Sequence, residues 1–224
     1  MRLNQKNFLF LWVNIDLLTL SFHFMASDFT ARQTEIIHAA LQLIAENGIQ
    51  GMTIKNLARR VGFSESAVYR HYENKVSILL AILDYFDQNF AQLFAAARQS
   101  DKTVPEKLEA LFMNLFGIFQ ATPSLVSVIF SEEFFRNEDV LYQKVSGVMN
   151  ENLQQLTYFL TQGQADGEIR KDVQAPILAT IILGSVRLQV KQWQTMEYAT
   201  DLVARGKELI DTLQILLSTL STEI

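Results

Sequence analysis

The sequence contains no cysteine. Disulfides, thiolate nucleophiles and zinc–thiolate centres are therefore excluded. Proline occurs three times and glycine nine times in 224 residues, which excludes collagen-like and linker-type chains. The only histidines are His23, His38 and His71. They show no paired ligand spacing, and no Gly-rich phosphate loop follows a strand, so neither a metal nor a cofactor is expected. Glu132 and Glu133 form an adjacent carboxylate pair, but neighbouring side chains on a helix point apart. No catalytic residue is assigned, and an enzyme is not expected. Positive charge is short as well: the net charge is −5, which by itself counts against a nucleic-acid binder.

A clean apolar run of membrane-spanning length is also missing near the start. Residues 8–13 are apolar, and Arg2 and Lys6 precede them, but Asn14 and Asp16 interrupt the run. An Asp at mid-membrane costs about 2.5–3.5 kcal/mol, and the stretch from Phe8 to Phe24 is short for a span. Residues 1–25 are read as an apolar N-terminal extension. Three readings stand: an over-long start with Met25 as the initiator, an apolar helix on the protein or a membrane surface, and a cleaved signal.

What is present is apolar and helical: 49% of residues are hydrophobic. Ile36, Ile37, Ala40, Leu43 and Ile44 recur at spacings of three and four, one helix face. Thr30 with Gln33, and Thr103 with Glu106, read as capping boxes. Helices are predicted over 31–47, 54–61, 65–72, 75–98, 104–121, 124–135, 138–162, 175–193 and 200–220, with Asn137 capping the seventh and Gly163 and Gly167 in the turn after it. No alternating strand and no repeat is found. The expectation is an all-α chain: a three-helix head over 26–75 and a larger helical bundle over 76–224.

The most specific signal lies in 53–72. Two short helices are separated by Gly62-Phe63-Ser64, where glycine permits a sharp turn and serine caps the helix that follows. This is a helix-turn-helix, whose second helix enters the major groove. The run from Thr53 to Lys75, TIKNLARRVGFSESAVYRHYENK, resembles the DNA-binding signature of the TetR/AcrR transcriptional regulators. Arg32, Ile36, Ala39, Ala40, Leu43 and Gly48 fit the helix that precedes the signature in that family. Ala67 stands where many members carry glycine.

Roles follow residue by residue. Thr53 suits a phosphate at a helix N-terminus, and Lys55 sits one turn in. Glu65, Ser66, Ala67 and Arg70 are the candidates for reading bases: Glu accepts from cytosine, Ala meets a thymine methyl and Arg favours guanine. The resemblance implies DNA contacts for Tyr69 and His71 and a phosphate contact for Lys75. The charge distribution permits this, since residues 80–224 carry a net −7 while 55–75 hold five Lys or Arg against two Glu.

Nine of the 16 phenylalanines fall between residues 80 and 135. Core packing explains such stripes, but the same rings suit an apolar ligand cavity, and the resemblance implies an effector held between these helices. The candidate ligand-binding residues are Phe90, Phe116, Phe119, Phe130, Phe134 and Tyr158, with Arg187 or Gln189 as a polar anchor. The last two helices carry broad apolar faces and the small pair Gly184 and Ser185, which suits a homodimer with a four-helix interface. The expected function is a sequence-specific DNA-binding transcriptional regulator in the cytoplasm: a ligand-responsive repressor that binds a palindromic double-stranded operator as a homodimer and responds to an apolar small molecule. A ligand-independent DNA binder and a membrane-anchored interaction protein are the alternatives.

Overall fold

The computed structural model describes residues 29–131 and 138–219. Among these residues there are nine helices and no strand: α1 (Ala31–Gly51), α2 (Ile54–Val61), α3 (Glu65–Tyr69), α4 (Lys75–Gln99), α5 (Val104–Ala121), α6 (Pro123–Ile129), α7 (Asp139–Asp166), α8 (Ala175–Thr195) and α9 (Leu202–Leu217). The extension over 1–25 and Asn137 lie outside the described residues. Among the described residues, no single helix is long and apolar enough to cross a membrane.

Side chains that accept from otherwise unpaired backbone N–H groups fix most helix starts. Thr30 with Gln33 and Thr103 with Glu106 form the expected capping boxes, and Asn74 with Ser77 forms a third that opens α4. Gly48 breaks the regular geometry of α1 with φ 67°, and one further turn carries it to Gly51.

Several boundaries differ from expectation. α3 stops at Tyr69 instead of Tyr72, because Tyr72 leaves the helix to bury its ring and donate to the Gln33 carbonyl at 3.5 Å. α6 ends at Ile129. α7 continues through Gly163, which lies buried against Val104 and Ile169, and Gly167 alone ends it. α9 starts at Leu202 and not at 200, because Asp201 caps it, accepting from the Ala204 N–H at 3.0 Å.

The head is α1–α3. Ile36, Ile37, Met52, Leu57 and Val68 are fully buried in it. α4 starts in the head, burying Ile78, Leu79 and Ile82, and then runs on along the bundle. The expected domain boundary at 75/76 therefore falls at the first turn of a helix that serves both parts. α1 also packs on α6. In the bundle α5 packs on α9, α7 on α8 and on α4, and α8 on α9. Phe116 of α5 is fully buried against Gly206 of α9, where an added Cβ would lie 2.2 Å from the Phe116 Cδ2. Only glycine allows that approach.

Candidate nucleic-acid interface and effector cavity

The turn between α2 and α3 is built by backbone bonds. Gly62, at φ 71°, adopts the left-handed conformation that glycine takes without a Cβ penalty. Its N–H and that of Phe63 both donate to the Ala58 carbonyl, the latter at 2.8 Å. Ser64 then caps α3, its Oγ accepting from the Ala67 N–H at 3.2 Å and lying 2.9 Å from the Ser66 Oγ. Leu57, Ala58 and Val68 are buried where the helices cross. This core holds α3 rigidly with its outer face in solvent.

That outer face presents most of the candidates. Thr53, Lys55, Glu65, Ser66, Tyr69, Arg70 and His71 are exposed and Ala67 is half-buried. The Thr53 hydroxyl accepts from the Asn56 N–H at 3.2 Å, and its own O–H remains a donor suited to a phosphate. Arg60 is ion-paired with Glu46 of α1. Its hydrogen bond holds the Glu46 carboxyl below the usual carboxylate range. The outward-facing cations of 53–71 are then Lys55, Arg59 and Arg70.

Lys75 is placed differently from its expected phosphate-facing position. Its ammonium donates to the Ile49 carbonyl at the end of α1, and burial lowers its pKa. It ties the end of α1 to the start of α4, where the last helix carbonyls lack intrahelical donors. Lys75→Met is expected to lower stability by about 1–2 kcal/mol through the unsatisfied Ile49 carbonyl, with the salt dependence of operator binding unchanged. Thermal unfolding and a salt titration of DNA affinity check this. A salt slope flatter by about one charge, with unchanged stability, would restore the phosphate role.

A cavity of 520 Å³ opens in the bundle. α4 contributes Leu83, Phe86 and Phe90, α5 Leu115 and Phe119, and α6 with the residue after it Ile129 and Phe130. α7 contributes Val145, Met149 and Leu153, and α8 Leu183, Gly184 and Val190. Phe86 stacks on both Phe90 and Phe119 with ring centroids 5.7 Å apart. Ser146, Asn150, Asn152, Thr180 and Arg187 supply the polar part of the lining. The Arg187 guanidinium lies 4.7 Å from the Phe130 ring centroid and 3.7 Å from the Met149 sulfur. An apolar wall with a few convergent polar groups is the usual form of a small-molecule site.

Of the ligand candidates, Phe90, Phe119, Phe130 and Arg187 line this cavity, and Gln189 does not. Phe134 lies outside the described residues. Two placements are corrected. Phe116 faces α9 and belongs to the core. Tyr158 is half-exposed beyond the cavity, near the end of α4, with the Arg98 guanidinium 5.5 Å from its ring. Sequence reasoning missed Phe86, although it sits one turn before Phe90 in the same stripe. It also missed the wall from α7, whose mixed polar sequence gives no cavity signal.

A reading head with an exposed recognition helix and a cavity-bearing bundle together define a helix-turn-helix DNA-binding protein with a built-in ligand site. Comparison with known proteins gives the family. The model of the bacterial regulatory proteins of the tetR family matches residues 36–82, and that of the C-terminal region of YsiA-like proteins matches residues 86–217. The chain belongs to the tetR family of bacterial regulatory proteins, and it is a DNA-binding transcriptional regulator. It is 25% identical over 179 residues to the fatty acid metabolism regulator protein of Bacillus subtilis, covering 80% of this chain and 92% of that one. It resembles the structure of the transcriptional regulator FadR from Bacillus subtilis in complex with stearoyl-CoA, with a TM-score of 0.70 and 24% identity over 80% of this chain and 96% of that one. The fatty acid degradation regulator FadR from Bacillus halodurans aligns with a TM-score of 0.73 and 22% identity over 84% and 97%. These relatives are regulators, not enzymes.

Proposed function

We propose that the protein is a homodimeric repressor that holds a palindromic operator and releases it when a long-chain acyl-CoA fills the bundle cavity. The cavity carries this reading: its walls are aromatic and aliphatic, and Arg187 sits among the polar groups of its lining. Each methylene moved from water into such a site contributes about 0.8 kcal/mol, while Arg187, Asn150 and Asn152 suit the thioester and the polar start of the carrier. The FadR of Bacillus subtilis bound to stearoyl-CoA supports the ligand class. Residues 26–75 read DNA through Thr53, Lys55, Glu65, Ser66, Ala67, Tyr69, Arg70 and His71. Residues 76–224 sense and dimerise, with Phe90, Phe119, Phe130 and Arg187 on the ligand. The working location is the cytoplasm.

The dimer forms through α8 and α9. Ile177, Ile181, Gly184 and Leu188 recur at spacings of four, three and four along α8, and the three large ones are exposed, as are Ile215 and Leu216 of α9. Such an apolar face suits a twofold partner. The effector must favour the arrangement that cannot span the operator, because equal affinity for both shifts nothing. The operator is selected from a random DNA pool, and its release is titrated with stearoyl-CoA, stearate and coenzyme A separately. Stearoyl-CoA is expected to weaken operator affinity on the order of ten- to a hundredfold. No release by any of the three would leave a ligand-independent DNA binder.

A further inference from the structure

α4 and α7 lie side by side and run in the same direction, and two fastenings hold their seam. At the end away from the head, Phe94 stacks on Phe159 at 6.0 Å, and Arg98 reaches both the Tyr158 ring and the Gln155 side chain. That end is anchored deeply, since Leu156, Phe159 and Leu160 are buried. At the end near the head the fastening is polar. The Lys144 ammonium of α7 lies 2.8 Å from the Asp84 carboxylate and 2.8 Å from that of Asp87, both on α4. Asp84 and Asp87 are three residues apart and so lie on one strip of the helix.

The cavity lies between the two fastenings. Leu83 and Phe86 interleave with the two aspartates on α4, and Val145 follows Lys144 directly on α7. The first half of α7 has little else to hold it: Leu141 is its one buried side chain, while Val140, Tyr142 and Met149 are exposed. Segments with few buried apolar contacts are the first to move. Near this end α4 buries Ile78, Leu79 and Ile82, and the helix packs on α1 of the head.

We propose that Lys144, bridging Asp84 and Asp87, is the positioning residue that opposes cavity filling and so couples the effector site to DNA affinity. An occupant pressing between α4 and α7 levers them about the deeply packed far end. The near end opens only as the Lys144 bridge lengthens, and the α4 segment that moves there is rooted in the head. The bridge therefore favours the effector-free arrangement. Burial works against the Lys144 charge, but its hydrogen bonds to Asp84 and Asp87 outweigh this and hold its pKa above the usual lysine value. By linkage, whatever disfavours the effector-bound arrangement also strengthens operator binding when the effector is the releasing signal. That last step rests on the repressor reading above.

The test uses the full-length protein. Operator affinity is measured without effector, stearoyl-CoA affinity without DNA, and the melting temperature alongside both. Lys144→Met, and separately Asp84→Asn with Asp87→Asn, are expected to lower operator affinity about fivefold and raise stearoyl-CoA affinity by a similar factor. Lys144→Arg, which keeps the charge and both acceptors within reach, is expected to restore both values. A general folding defect lowers both affinities together, and that result overturns the proposal, as does no change in either. If the wild-type protein binds no stearoyl-CoA, the acyl-CoA reading fails. The operator arm then decides alone: a fivefold loss at unchanged melting temperature upholds the bridge, and no loss overturns it.

Discussion

Phe116→Ala is expected to cost about 3–5 kcal/mol of folding stability, the range for removing a fully buried aromatic side chain. In a chain of this size that corresponds to a fall in melting temperature on the order of 10 °C. The reason is local. Phe116 has no exposed surface, and its ring fills the space left by Gly206, with Cδ2 and Cε2 both within 3 Å of where a Cβ would stand on that glycine. Deleting the ring leaves a void between α5 and α9 that two packed helices close only in part. Stearoyl-CoA affinity, measured on the folded fraction, is expected to stay within about twofold of wild type, because the ring does not line the cavity. The second substitution sharpens this. Gly206→Ala alone overpacks the seam, whereas in the Phe116→Ala background the added methyl partly refills the void and recovers stability, a coupling that a double-mutant cycle reads directly. A stability loss under 1 kcal/mol with a large loss of ligand affinity would move Phe116 back into the site.

The helix starts were legible because caps are local. Thr30, Thr53, Ser64 and Thr103 each act on the N–H three residues ahead, so spacing in the sequence is spacing in space. The turn between α2 and α3 was legible for the same reason. Helix ends were less so, since tertiary contacts decide them: Tyr72 stops helical geometry by turning into the core, and Gly163 stays helical because Val104 and Ile169 close over it. In the bundle the phenylalanine stripes were visible, but periodicity does not say which side of a stripe meets a neighbour and which meets a void. Phe116 and Phe119 are one turn apart on α5, yet the first packs on α9 and the second lines the cavity. Lys75 shows the same limit for charge. Its sign was readable, but its partner, the Ile49 carbonyl, lies 26 residues away.

Ile181→Asp is expected to have the largest effect on DNA binding. The substitution lies on the exposed apolar face of α8, between Ile177 and Leu188. On a twofold interface it enters twice, placing two carboxylates among apolar side chains such as Ile177 and Leu188. The protein is expected to sediment as a monomer, with each protomer's fold intact because Ile181 is not part of the buried core. Affinity for the full palindrome is expected to fall by about 10²–10⁴, the factor gained when two linked modules bind one target together. Affinity for an isolated half-site should not change, since the reading face of α3 is untouched. So large a factor is expected because a single head is a weak binder. Its outward cations over 53–71 are Lys55, Arg59 and Arg70, with Arg60 committed to Glu46, and few phosphate contacts give little of the counterion release that drives association. Specificity and affinity must then come from two heads held at a fixed separation, which is the role the proposed α8–α9 interface has. A monomeric variant that still held the palindrome at wild-type affinity would show that one head suffices, and a variant that stayed dimeric would place the interface elsewhere.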